Sequence, residues 1–75
     1  MILPDKHTRV STSLLGLGAL VLRELRTPHS PSALWERLRG REEVGNFQRM
    51  VAALDLLYLM GAVNLEDGLI RRTNP

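Results

Sequence analysis

Along the first long apolar stretch, Leu14, Leu15, Leu17, Val21, Leu22 and Leu25 recur at helical spacing. That pattern predicts a helix with one face turned toward a core. Ser11-Thr12-Ser13 offers hydroxyls for its N-cap, and Pro28 disfavours helical geometry at the residue before it. The helix is therefore expected over roughly residues 12–26. Gly16 and Gly18 fall inside it, where each glycine costs about 1 kcal/mol relative to alanine. Their presence implies that a bulky side chain or another backbone comes close. Residues 1–10 lack this period. They begin with Ile2-Leu3-Pro4, turn polar at Asp5, and read as an extended arm ahead of a folded domain at residues 11–75.

Ser30-Pro31-Ser32 restarts a helix, with Ser30 as N-cap and Pro31 at the first helical position, where no amide donor is needed. Ala33, Leu34, Trp35 and Leu38 form its apolar side, which places Trp35 toward the core. This second helix is expected over roughly residues 31–39, closed by Gly40 in a positive-φ conformation. A polar turn (Arg41, Glu42, Glu43) leads to a third helix at roughly residues 46–60, ended by Gly61. The period then changes to two. Asp67-Gly68 is a strong hairpin signal between Ala62-Val63-Asn64-Leu65-Glu66 and Leu69-Ile70-Arg71-Arg72. In that register Leu65 faces Ile70, and both take the buried side of a hairpin at roughly residues 62–72, while Leu69 points the other way. The order is helix, short helix, turn, longer helix, hairpin. It predicts a mainly α fold with a small β-hairpin, a winged helix-turn-helix in which the hairpin is the wing.

The third helix carries the most information. Advancing about 100° per residue, Phe47, Met50, Val51, Ala53, Leu54, Leu57 and Tyr58 gather on one broad side, the expected core face. The other side holds Gln48, Arg49, Ala52, Asp55, Leu56, Leu59 and Met60. A helix reading DNA would present Arg, Lys, Asn, Gln or Ser there. This one presents three large apolar residues, one arginine, and an aspartate that repels phosphate. A helix that is apolar nearly all round is buried on two sides. Leu56, Leu59 and Met60, with the arm residues Ile2 and Leu3, are therefore the expected partner-binding surface. The competing reading is that the arm and wing close over them in a plain monomer.

Composition narrows the classes further. The chain has 75 residues and no cysteine, so it is one domain without disulfides or thiolate metal ligands, and small enough to be marginal alone. Ten Lys and Arg against eight Asp and Glu leave +2, too little to argue nucleic acid by itself. No apolar run reaches the roughly 18 residues of a membrane span, and no secretory signal is evident, so a cytoplasmic location is expected. His7 and His29 sit in irregular segments with no diagnostic neighbours and read as surface residues. Gly16-Leu17-Gly18 is not a phosphate loop, because Val21 stands where the third glycine belongs and no Lys-Ser or Lys-Thr pair follows. No catalytic, cofactor-binding or metal site is expected, and the chain does not read as an enzyme.

Several segments together are similar to one family. They are Ile2-Leu3-Pro4-Asp5-Lys6-His7, Ser13-Leu14-Leu15-Gly16-Leu17-Gly18-Ala19, Leu34-Trp35, and Ala53-Leu54-Asp55-Leu56-Leu57-Tyr58 followed by Gly61-Ala62-Val63. They resemble the small middle components of bacterial ABC-three-component systems, most closely middle component six. The resemblance implies a non-catalytic adaptor between an SMC-like or Rad50-like ABC ATPase and an effector subunit. It also implies a role in defence against phages or plasmids, related to Lamassu-type systems.

Two other readings stay open. A small winged-helix DNA-binding regulator would use the third helix and the wing. Arg41, Arg49, Arg71 and Arg72 are the candidates for nucleic-acid backbone contact, either in such a regulator or as weak contact within a larger assembly. A homodimer would bury the same apolar face against itself.

Overall fold

The computed structural model describes residues 13–73. The arm at residues 1–10, with Ile2 and Leu3, lies outside the described residues. Three helices, α1 (Leu14–Glu24), α2 (Pro31–Leu38) and α3 (Phe47–Leu59), precede a hairpin of β1 (Val63–Glu66) and β2 (Leu69–Arg72). The fold is mainly α with a small β-hairpin, arranged as in a winged helix.

Each helix starts on a side-chain cap that satisfies an otherwise orphaned backbone donor. The amide of Gly16 donates to the Ser13 hydroxyl at 3.0 Å, that of Ala33 to Ser30 at 3.1 Å, and that of Arg49 to the Asn46 amide oxygen at 2.8 Å. Helix α1 stops at Glu24, two residues short of the sequence expectation, where the Leu25 amide turns back to the carbonyls of Val21 and Leu22. Helix α3 ends in a Schellman motif. Gly61 takes φ +78°, its amide donates to Tyr58 O at 3.0 Å, and the Ala62 amide donates to Leu57 O at 2.8 Å. The hairpin turns on Asp67 (φ 56°) and Gly68 (φ 77°), the two left-handed residues that a type I′ turn requires.

Gly40 corrects the sequence reading. The positive-φ glycine between α2 and α3 is Gly45 (φ +81°) and not Gly40. The Arg39 cap keeps right-handed helical geometry, and the Arg41 amide reaches back to Leu38 O at 2.9 Å. The chain therefore leaves α2 through a tight right-handed turn, and the reversal of hand is postponed to the entry into α3.

Leu17, Val21 and Leu25 of the first helical segment meet Leu34, Leu38, Val44, Met50, Ala53 and Leu57, with Val63 and Ile70 closing the hairpin side. Gly18 lets α1 approach α3, since a Cβ there would stand 3.3 Å from Leu57 Cδ2. Trp35 is half-buried against this core, and its ring meets Phe47 edge-on with centroids 5.5 Å apart.

The strands pair Val63 with Arg72, Asn64 with Arg71, Leu65 with Ile70, and Glu66 with Leu69, as the Asp67-Gly68 turn predicts. Ile70 is buried but Leu65 is 61% exposed, so the shared burial expected of this pair fails. Ile70 sits on the inner strand, flanked by His29, whereas Leu65 is on β1, the outer edge of the ribbon. His29 is the other departure. It forms an antiparallel bridge to Ile70, with His29 N donating to Ile70 O at 3.1 Å and Ile70 N donating to His29 O at 2.7 Å. It is a half-buried third row of the small sheet, not an irregular surface residue.

Candidate interaction surface

Helix α3 is anchored by a narrow stripe. Met50, Ala53 and Leu57 are its buried residues, at spacings that keep to one line of the helix. Phe47, Val51 and Tyr58, assigned by the sequence to the core face, are exposed. The physical reason is the size of the partners, because two short helical segments and a hairpin of four-residue strands cover only a thin strip of a long helix. More of α3 is therefore uncovered than the sequence reading allowed, and on both sides of its anchored line.

One uncovered strip is the C-terminal end. Leu59 is 81% exposed and Met60 60%, while Leu56 is half-buried. The second lies between α3 and the hairpin, where Val51, Leu54, Asp55 and Tyr58 face Val63, Leu65 and Ile70 across an open groove of about 490 Å³ that Pro31 also borders. Val63 and Ile70 belong to the core, whereas Tyr58 and Leu65 are each 61% exposed. Val51, Leu54 and Tyr58 recur at i, i+3 and i+7, so one side of α3 supplies the groove's helical wall. Asp55 is its only charged member, and it has no ion-pair partner among the described residues. Periodicity does not identify this groove, because it puts Leu65 on the buried side and Tyr58 on the core face. The clue was the sheer number of apolar positions on α3.

The four arginines proposed for backbone contact are not brought together as one α3 surface. Arg49 folds back over Gly45, and its Nε donates to Val44 O at 3.1 Å. Arg41 pairs with Glu24 at 3.7 Å and Arg71 with Glu66 at 3.3 Å. Arg72 is exposed at the end of β2. Between α3 and the wing the lining is mostly apolar, with Asn64 and the Asp55 carboxylate among it.

Polar interactions instead organise the joint between α1 and α2. Glu24 at the end of α1 accepts from Arg37 Nε at 2.9 Å and pairs with Arg41 beyond α2. The Arg37 hydrogen bond, with the nearby Arg37 and Arg41 charges, holds the Glu24 carboxyl below its ordinary range against a smaller opposing effect of burial. This clamp joins residues distant in sequence and was not foreseen. Next to it the His29 ring donates from Nδ1 to Thr27 O at 2.7 Å. Among the described residues, no cluster of His, Cys, Asp or Glu could hold a metal ion, and no helix is long and apolar enough to cross a membrane.

Compared with known families, residues 3–73 match the one described as ABC-three component (ABC-3C) system Middle Component 6. No curated protein and no solved structure matches.

Proposed function

This chain belongs to the ABC-three component system Middle Component 6 family, and we propose that it works there as a non-catalytic adaptor. In this reading it bridges an SMC-like or Rad50-like ABC ATPase and an effector subunit of the same system, in cytoplasmic defence against phages or plasmids. The observation that carries it is the exposed apolar surface of α3 and the hairpin, with Leu59 and Met60 at one end and Tyr58 and Leu65 along the groove. Burying side chains of this size contributes about 2 kcal/mol each before association costs. The regulator reading draws less support, because Arg49 is engaged by Val44 and Asp55 faces the groove.

The test is co-purification of the chain with the ATPase and effector of its system. Leu59→Glu with Met60→Glu should abolish capture of at least one partner. Both side chains are exposed, so the variant's thermal unfolding should stay within about 0.5 kcal/mol of the parent. A second variant, Tyr58→Ala with Leu65→Ser, separates the groove from the helix end. An intact complex from both variants would refute the adaptor reading. Leu56 is a poorer probe, because it is half-buried and a charge there would disturb the fold as well.

A further inference from the structure

The joint between α1 and α2 opens a second, chemically opposite cleft. It is lined by Arg23, Glu24, Arg26, Thr27, His29 and Arg37. None of these residues is apolar. Three arginines against one carboxylate give the lining an excess of +2, which equals the net charge of the entire chain. Arg41 adds a further guanidinium from the far side of Glu24.

The arginines differ in how they are used. Arg23 and Arg26 are exposed and have no ion-pair partner among the described residues. Arg37 spends only Nε on Glu24, and a guanidinium has five donors, so its terminal nitrogens remain available to a second acceptor. Glu24 is already occupied by Arg37 and Arg41. It therefore fixes the position of those side chains more than it repels an incoming anion. A helix C-terminus favours nearby cations, and this accounts for one arginine in the last turn. It does not account for Arg26 beyond the helix, or for Arg37 converging from α2.

We propose that this cleft binds the phosphate backbone of nucleic acid without reading its sequence. Phosphate contacts need only charge and hydrogen-bond donors, and the cleft offers both. Its one ring is the His29 imidazole, already tied through Nδ1 to Thr27 O, and it has no apolar side chain to anchor a peptide. An acidic protein segment would lack the apolar contacts that normally supplement its charge. The cleft and the α3–hairpin groove share no lining residue and differ in composition, although His29 of the cleft bridges to Ile70 of the groove. The proposal does not depend on the adaptor reading.

The test is fluorescence anisotropy of a labelled random-sequence duplex titrated with the full chain at several salt concentrations. The parent should bind with a Kd on the order of 10 µM at low salt, weakening steeply as salt rises. Arg23→Ala with Arg26→Ala should weaken binding at least about tenfold and reduce the log–log salt slope by about 2. Arg71→Ala with Arg72→Ala should leave binding within about twofold. An unchanged circular dichroism spectrum of the cleft variant excludes loss of fold. Absence of salt-sensitive binding by the parent would overturn the proposal. So would loss through the hairpin variant alone, or equal displacement of the duplex by a polyglutamate of matched charge.

Discussion

Leu57 lies over Gly18, so that a Cβ at position 18 would stand 3.3 Å from Leu57 Cδ2. Leu57 is itself buried, and its side chain has little room to retreat. The glycine that weakens α1 locally is what lets α1 lie close to α3. Alanine at this position would gain about 1 kcal/mol of helix propensity and lose a similar amount to the tight contact. Gly18→Ala should therefore leave stability within about 1 kcal/mol of the parent. Gly18→Leu should cost about 3 kcal/mol by overpacking. Denaturant unfolding of the two variants checks the contrast, and an equal effect for both would mean that packing against Leu57 is unimportant.

Gly61 and Gly40 offer a second comparison, because a Cβ on either meets nothing within 4 Å and only Gly61 has positive φ. Any difference between their alanine variants is therefore a backbone effect. Gly61→Ala should destabilise by about 1 to 2 kcal/mol through the left-handed conformation it must hold. Gly40→Ala should be neutral or slightly stabilising, since alanine restricts the unfolded chain. Thermal unfolding midpoints for the pair would distinguish the observed turn from one in which Gly40 closes α2.

The Glu24 clamp makes part of the stability depend on pH. Its carboxyl is held below the ordinary carboxylate range in the fold, so the unfolded chain binds the proton more readily. The contribution is complete above the ordinary carboxylate range and is lost as pH falls through the lowered value. Glu24→Gln should cost no more than about 1 kcal/mol near neutral pH, because Arg37 and Arg41 are substantially exposed to solvent. Stability curves of parent and variant, followed from neutral to acid pH, should converge at the acid end. Curves that remain parallel would show that the ion pairs contribute nothing.

Features with a local cause were legible in the sequence. Ser30 and Pro31 set the start of α2, Gly61 ends α3, and Asp67-Gly68 fixes the hairpin register; each depends on one or two residues and their nearest backbone. Gly18 also signalled its close neighbour, although not that the neighbour was Leu57. What could not be read was the width of the buried stripe on α3. Where apolar residues nearly encircle a helix, its period no longer marks an edge, and Tyr58 looks as central as Leu57. The same ambiguity left the groove beside Leu65 unseen, although exposed apolar surface near the end of α3 was expected and Leu59 and Met60 provide it. The His29–Ile70 bridge and the Glu24–Arg37 pair join residues far apart in the chain, so no local pattern announces either.

The bridge to His29 has a mechanical consequence. A two-stranded ribbon held only at its base would swing as a loose flap. Here β2 is stitched to β1 on one edge and to His29 on the other, and the Thr73 hydroxyl fastens the base to Gly61 O at 2.6 Å. His29 immediately precedes the residue that caps α2. The hairpin is thus tied along both edges of β2, and through His29 it is coupled to the start of that helix.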